Sequence, residues 1–407
     1  MKICGITAEY NPFHKGHAYQ IEKARQAGAT HILAVMSGNF VQRGVPAMLD
    51  KWVRVRAALS GGADLVVELP LPFATASAET FAYGALSLMQ ATGCVDMVSF
   101  GAEDEQAQLQ KVLSVLLSPE FEPVFRLRLM GGGSYAAARS QTVEDLAGEE
   151  TAAVLTRPNN ILGIEYLKAA HRLGFSPQWA AIPRKGAGHD QHGEEKGLMS
   201  ASYVRHLLEA GDWSEAQKGL PEICLPLYQQ AFVSGVAPVR LGNLERNMLA
   251  ILRTRPLDWL KNLPDVSEGL ENRLYAGIRQ ARSIVELYQL VQTKRYPQSR
   301  ARRMALHGFL GVTASMQKIR PPYLRILGIG FGGEEILRQM KKTAVIPFSQ
   351  SLARLSEESE DAKRFAQLEA AATDQYVLGM PKPLSCGWEF TAPVIKERLT
   401  IRCQLLK

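Results

Sequence analysis

Glu9-Tyr10-Asn11-Pro12-Phe13-His14-Lys15-Gly16-His17 follows a compact apolar segment, Ile3 to Ala8, and leads into helically spaced Ala18, Ile21, Ala24 and Arg25. An apolar run of that length without alternation reads as a strand buried on both faces, as in a parallel sheet. The quoted stretch is then a strand-to-helix turn, the place where open α/β sheets bind ligands. Asn11 and Pro12 suit a tight turn, and Gly16 permits close backbone approach. His14 and His17, three apart at a helix start, project together toward the free N–H groups and positive dipole end of that helix, which makes an anion site. Two histidines at this spacing are more often structural; the buried strand, the proline turn and the intervening glycine favour the functional reading.

Outward from this turn the same rhythm repeats. Strands are expected at His31 to Met36, Asp64 to Leu69, Val95 to Phe100 and Gln178 to Ile182, and helices at Lys51 to Leu59, Glu79 to Ala91, Asn160 to Leu173 and Ser202 to Ala210. Alternating strands and helices predict an α/β, doubly wound parallel sheet covered on both faces. Arg184 to Gly197, rich in glycine and charge, reads as an exposed, mobile loop. Past residue 212 apolar residues keep helical spacing in Leu244 to Leu252, Leu270 to Ala281 and Ile284 to Val291. The expected division is 1–210 for the sheet domain and 211–407 for a mainly helical, basic one. The glycines of Gly328 to Gly333 mark a final small unit or a return to the first domain.

Composition narrows the class. Of 407 residues 46% are hydrophobic and 21% charged, ordinary values for a folded chain, and the net charge of +7 points to a polyanionic partner. Neither a secretion signal nor an apolar run long enough to span a bilayer is present, and five scattered cysteines without a C-x-x-C pair suit buried thiols in a reducing cytoplasm; the expected location is cytoplasmic, away from membranes. The sequence does not specify an oligomeric state. Positive charge gathers at Lys294, Arg295, Arg300, Arg302 and Arg303, followed by Lys318, Arg320 and Arg325, with few acids between Gln292 and Leu327. Such a band can track an RNA backbone, with Tyr296 or Tyr323 offering a stacking face; a solvated helix face is the bland alternative.

The H-x-G-H pattern of His14, Gly16 and His17 is a signature of nucleotidyltransferases and class I aminoacyl-tRNA synthetases, whose imidazoles stabilise the departing pyrophosphate. Ser200-Ala201-Ser202-Tyr203-Val204-Arg205 resembles the S-S-T-x-x-R segment that closes over the phosphates in that superfamily. The longer string Thr7 to His17 resembles bacterial tRNA(Met) cytidine acetate ligases. So do Met36 to Gly44, Phe100 to Glu103, Pro158 to Tyr166 and Arg184 to Asp190. Lys15 departs from the asparagine expected there, and the segment around His189 is one residue short of the family pattern, so no ligand role is given to His189.

The resemblance implies a HUP-like nucleotidyltransferase domain and an enzyme that makes acetyl-adenylate from ATP and acetate. It then passes the acetyl group to N4 of the wobble cytidine of elongator tRNA(Met). It places ATP on Thr7, Ala8, Glu9, Tyr10, Asn11, Pro12, Phe13, His14, Lys15, Gly16, His17, Ala18, Tyr19 and Gln20, on Gly101, on Asn159 or Asn160, and on Arg184 with Lys185. Ser200 and Ser202 cap a helix over the phosphates, and His14, His17 and Arg205 carry the catalytic expectation. Mg²⁺ suits ATP chemistry, yet no carboxylate pair stands out to bind a metal, and no tightly bound cofactor is expected. Two rival readings stay open: a small-molecule nucleotidyltransferase of the coenzyme A or NAD biosynthetic type, and a non-catalytic RNA-binding protein on the same fold.

Overall fold

The computed structural model describes residues 1–183, 198–267 and 269–397. Among them eight strands form one sheet: β1 (Ile3–Ala8), β2 (His31–Ser37), β3 (Leu65–Leu69), β4 (Met97–Ala102), β5 (Gln178–Pro183), β6 (Leu324–Ile329), β7 (Phe348–Ser349) and β8 (Ile395–Lys396). Their order is β8-β6-β3-β2-β1-β4-β5, with β7 beside β6. The first five strands are parallel, and their order reverses between β1 and β4, the switch point of a doubly wound sheet.

Side chains alternate across this sheet. Ile3, Leu33, Val35, Leu65, Val67 and Val98 face one layer, which contains residues of α3 (Ala78–Ala91) and α4 (Pro158–Leu173). Cys4, Ile6, Ile32, Ala34, Met36 and Val66 face the other, with α1 (Lys15–Gln26), α2 (Lys51–Ser60) and α5 (Ala201–Ala210). Each buried aliphatic side chain stabilises by about 1.5–3 kcal/mol relative to exposure, so the double-faced runs commit these segments to the sheet centre. The strands and helices expected before residue 210 appear with ends within two residues of the expected ones. Strand β4 runs on to Ala102 because Gly101 and Ala102 pair with Ile182 and Pro183. The segment expected as a loop at Arg184 to Gly197 lies outside the described residues.

One feature was not expected, and another decides between two readings. Between β4 and α4 the chain forms helices Gln106–Leu116, Phe121–Met130, Tyr135–Ala147 and Glu149–Ala153, where no elements were expected. Residues 213–318 are helical as anticipated, and the chain then returns to the first domain, one of the two readings of the glycine-rich break, entering the sheet as β6, antiparallel to β3, with Val66 opposite Gly328. Arg325 interrupts that apolar run and hides it as a strand.

Arg325 belongs to a buried ionic cluster, not to the basic surface band, and Tyr323 is likewise buried, so it offers no stacking face. Lys51 of α2 pairs with Glu68 of β3 and with Glu389, and Arg325 pairs with Glu68 at 2.9 Å and with Glu389. Glu369, on α7 (Glu360–Val377), accepts from the Leu71 N–H nearby. Two cations thus meet three carboxylates, so the cluster favours the neutral form of one of them. Burial, followed by the charge of Glu68 and then, against Lys51, that of Glu389, pushes the Glu369 carboxyl up to about 8. Burial alone would raise Glu389 too, but Arg325 and Lys51 outweigh it and hold that carboxyl at about 2.

A carboxyl whose folded value exceeds its unfolded value binds more protons when folded, so its contribution is lost as pH rises. For Glu369 that loss runs from about 4.5, its ordinary value, to about 8. Glu369→Gln keeps the acceptor for Leu71 and removes the titration. Thermal melts should show the wild type losing several degrees relative to the variant between about pH 5 and 8; parallel curves would mean that Glu369 is already ionised in the fold.

Candidate active site

A cavity of about 280 Å³ opens at the carboxyl end of β1, on the switch point. Its lining takes Thr7 to Asn11 from the end of β1 and the turn after it, and His14, Gly16, His17, Tyr19 and Gln20 from the α1 side. Phe100 and Gly101 of β4, Asn159, Leu162 and Tyr166 of α4, Ile182 and Pro183 of β5, and Ser202 and Arg205 of α5 complete much of the wall.

The turn is held in an uncommon backbone state. Tyr10 has φ 47, left-handed for a residue with a side chain, and such conformations cost of order 1–3 kcal/mol unless the surroundings fix them. Here the carbonyls on either side are gripped. Arg54, fully buried, donates to Glu9 O at 2.6 Å, and Arg205 donates to Asn11 O. Asn11 Oδ1 accepts from Met48 N at 3.0 Å, and the Tyr228 hydroxyl donates to Phe13 O at 2.9 Å. The Tyr10 ring stands edge-on to Phe13 and to His17, with centroids 4.9 Å away in both cases.

Both histidines belong to the tip of α1. His14 is its N-cap, and its Nδ1 accepts from Gly16 N at 2.9 Å; His17 Nδ1 accepts from His14 N at 3.2 Å, closing a reciprocal capping box. The rings lie 3.9 Å apart at 32°. A ring nitrogen that accepts carries no hydrogen, so each proton resides on Nε2, and each imidazole presents an Nε2–H donor. Together with the α1 dipole this is an arrangement for a phosphate chain.

Arg205 approaches from α5, whose N-cap Ser200 accepts from Tyr203 N at 3.2 Å. Burial lowers the Arg205 basicity, Glu9 counters that, and the nearby Arg43 adds to it. Arg43 sits on a hairpin, Phe40–Val41 paired with Val45–Pro46, that follows β2 and lines the cavity with Val41, Gln42, Arg43 and Val45. Gln42 N donates to Glu9 Oε1 at 2.9 Å, fastening the hairpin to the turn. At its tip Gly44 has φ 76, and a Cβ there would lie 3.0 Å from the backbone of Arg302 and of Arg303 on α6 (Gln298–Leu310). The basic helix and the cavity wall are therefore neighbours.

Of the residues expected to meet ATP, Thr7, Ala8, Glu9, Tyr10, Asn11, His14, Gly16, His17, Tyr19, Gln20, Gly101, Asn159 and Ser202 line the cavity. Pro12 and Phe13 are buried beneath the turn, Lys15 is exposed, and Ala18 is half-buried on α1, all outside the lining. Asn160 is buried and holds the chain after β4 by accepting from Glu103 N and Asp104 N. Ser200 is buried as a cap, and Arg184 and Lys185 lie outside the described residues. The hairpin and the aromatic wall of Phe81 and Tyr166 were not anticipated. A loop directly after a buried parallel strand, bracketed by Gly38 and Gly44, was the signal available for the hairpin.

In the basic band Lys294 is exposed, while the arginines are engaged. Arg300 donates to Asp265 O at 2.7 Å and to Ser267 Oγ at 2.9 Å and lies over the Tyr296 ring, as does Arg295. Arg303 pairs with Asp265 at 2.8 Å, and Arg302 donates to Gln298 Oε1 at 2.7 Å.

The fold and the paired imidazoles define a nucleotidyl transferase, and the family model described as HIGH Nucleotidyl Transferase matches residues 1–386. More narrowly, the chain belongs to the family of tRNA(Met) cytidine acetate ligases. It is 35% identical to the enzyme of that name from Caldanaerobacter subterraneus subsp. tengcongensis, across 97% of this chain and 100% of the relative, and 37% identical to that of Clostridium kluyveri, across 98% and 100%. Among solved structures it resembles Thermotoga maritima TmcAL bound with alpha-thio ATP, with TM-score 0.91 and 33% identity across 98% of this chain and 100% of the other; the apo form gives 0.92 and 34% with the same coverage.

A Cβ at Gly16 would fall 2.7 Å from His14 Cε1 and 3.0 Å from its Nδ1, so Gly16→Ala must displace that ring. Losing one donor to a charged phosphate should weaken ATP binding roughly 10- to 100-fold. The melting temperature should hold, because alanine suits a helix better than glycine. An unchanged dissociation constant by calorimetry would separate the His14 ring from nucleotide binding.

Proposed function

We propose that the chain is an ATP-dependent tRNA(Met) cytidine acetate ligase that activates acetate as acetyl-adenylate and transfers the acetyl group to N4 of the wobble cytidine of elongator tRNA(Met). The observation that carries this is the pair of imidazoles whose Nδ1 atoms are occupied by backbone N–H groups at the switch point, in a chain whose full-length relatives bear that name. The ATP-analogue complex of the Thermotoga maritima relative supports ATP as the nucleotide. A tRNA substrate puts the work in the cytoplasm, and no helix among the described residues is long and apolar enough to cross a membrane.

In this reading ATP lies with its triphosphate at the α1 tip. His14 and His17 donate through Nε2–H to the departing pyrophosphate, and Arg205 neutralises charge from α5. Gly101 lets the backbone of β4 approach the nucleoside, and Asn159 offers an amide. Among the described residues no group of three His, Cys, Asp or Glu side chains could hold a metal, so Mg²⁺ would arrive on the ATP phosphates with its waters. The tRNA docks on residues 211–407, on the band of Lys294, Arg295, Arg300, Arg302 and Arg303.

Acetate-dependent exchange of labelled pyrophosphate into ATP tests the first half-reaction, and label passing from acetate into bulk tRNA tests the second. His14→Ala or His17→Ala should lower exchange about 100- to 1000-fold. Loss of the cap also costs about 1 kcal/mol, so the melting temperature should drop a few degrees without unfolding. A double variant with wild-type exchange would sink the assigned role.

Because Arg303 is tied to Asp265, reversing it would disturb the fold as well as the surface. Exposed Lys294 is the cleaner probe of the tRNA patch. Lys294→Glu should weaken tRNA binding and flatten its dependence on salt by about one counterion, with ATP affinity untouched. Identical salt slopes for variant and wild type would remove Lys294 from the interface.

A further inference from the structure

Strand β4 ends at Ala102, and the two residues after it are tied to the start of α4 in both directions. Asn160 Oδ1 accepts from Glu103 N at 2.9 Å and from Asp104 N at 3.1 Å. In return Glu103 Oε2 accepts from Asn160 N at 2.9 Å, and Asp104, itself paired with Arg157, accepts from Asn160 Nδ2 at 2.6 Å. The other carboxylate oxygen, Glu103 Oε1, faces Asn159. It accepts from the side-chain Nδ2 of that residue and, at 3.4 Å, from its backbone N. Buried Asn160 is thus a brace, and it holds the exposed Glu103 against Asn159.

That contact fixes which way the Asn159 amide faces. A carboxylate only accepts, so it takes the NH2 end; the reverse placement would set two oxygens against each other. The carbonyl oxygen Oδ1 diverges from Glu103, and no donor among the described residues reaches it. Asn159 lines the cavity beside Gly101, with Leu162 one turn further along α4 and Ile182 and Pro183 on β5. To this mostly apolar wall, suited to the flat face of a base, Asn159 brings an acceptor and no donor. Adenine carries an amino donor at its 6-position. Guanine and hypoxanthine carry a carbonyl oxygen there, which would meet Oδ1 oxygen to oxygen.

We infer that Asn159 Oδ1 accepts from the 6-amino group of adenine, and that Glu103, by holding the other end of the amide, is the positioning residue for the choice of ATP over 6-oxopurine nucleotides. This rests on the proposed placing of ATP in the cavity. Glu103→Gln turns the idea into a sharp test. The new side chain must keep its oxygen toward Asn160 N, because an NH2 group there would face a backbone N–H 2.9 Å away, whereas Asn159 N is more distant. Its NH2 group then meets Asn159, whose amide turns over and presents Nδ2 to the cavity, a donor that suits a 6-oxo group.

The test is calorimetry on the full chain with ATP, inosine triphosphate and 2′-deoxy-ATP. Wild type should bind ATP about ten-fold more tightly than inosine triphosphate. Asn159→Ala should bring that ratio near one by weakening ATP, and Glu103→Gln should bring it to one or below. If either variant keeps the wild-type ratio, whether or not both dissociation constants rise, the pair only shapes the start of α4 and the inference is overturned. A loss in Asn159→Ala that is equal for ATP and inosine triphosphate but absent for 2′-deoxy-ATP would put the amide on the ribose and overturn it as well. Equal wild-type affinity for ATP and inosine triphosphate would overturn it while leaving the ligase reading intact. Failure of the wild type to bind ATP would fail the ATP reading and take this assignment with it. Thermal melts of both variants establish that the proteins compared are folded.

Discussion

The Arg54 guanidinium organises the site although it never lines the cavity. It is fully buried and donates to the carbonyls of Leu49 at 2.9 Å, Glu9 at 2.6 Å, Ser37 at 3.1 Å and Gly38. Those carbonyls come from the end of β1, the end of β2 and the lead into α2, so one planar group fixes three chain segments against each other. A cation taken out of water costs several kcal/mol unless its donors are filled, and filled donors make the arrangement costly to disturb. Burial depresses the Arg54 basicity, while the phenol of Tyr376, the carboxylates of Asp50 and Glu9 and, last, that of Glu68 oppose this. With Glu9 O held, Tyr10 keeps its left-handed turn and the chain enters α1 with both imidazoles over the cavity.

A second buried network does for the two ends of the chain what Arg54 does for the turn. Lys51, one residue past the N-cap of α2, shares Glu68 and Glu389 with Arg325, which brings β6 and the segment near residue 389 onto β3. Glu68 and Glu369 converge beside Gly38, whose carbonyl Arg54 holds. Removing one member would strand an uncompensated charge, which is far worse than replacing the whole set by apolar groups. The cost of such a network is more readily explained by specificity than by stability. It joins β6, arriving after a long helical excursion, to β3 through Arg325 on Glu68, a cation that another apolar run would not bring to that register.

The parallel strands and the histidine turn were legible because local chemistry dictates them. Apolar runs buried on both faces leave few alternatives, and a cap whose side chain must accept from the next turn specifies its own geometry. What stayed hidden was set by distant partners. Arg325 reads as surface charge until Glu68 and Glu389 are known to enclose it, and Tyr323 reads as a stacking face until β6 is placed inside the sheet. Asn160 reads as an ATP ligand in sequence; only the neighbouring N–H groups of Glu103 and Asp104 show what its side chain holds. The hairpin at residues 40–46 is too short for any periodicity, and the Gln42 N–H that fastens it finds its acceptor on Glu9, far away in sequence.

The imidazoles of His14 and His17 differ in kind from the arginines around them. With Nδ1 committed to a backbone donor, each ring can only donate through Nε2, so the phosphate contact proposed for it does not require the ring to be charged. Such donors are already oriented before nucleotide arrives, and they strengthen as negative charge moves onto the leaving group. The cations, by contrast, come from elements elsewhere in the chain, Arg205 from α5 and Arg43 from the hairpin, and reach the turn only through tertiary contacts. Fixed neutral donors thus belong to the part of the site that folds locally, and positive charge to the parts that close around it. In the proposed reaction this division would leave nucleotide chemistry to the α/β turn and the choice of second substrate to the elements that reach it from elsewhere in the chain.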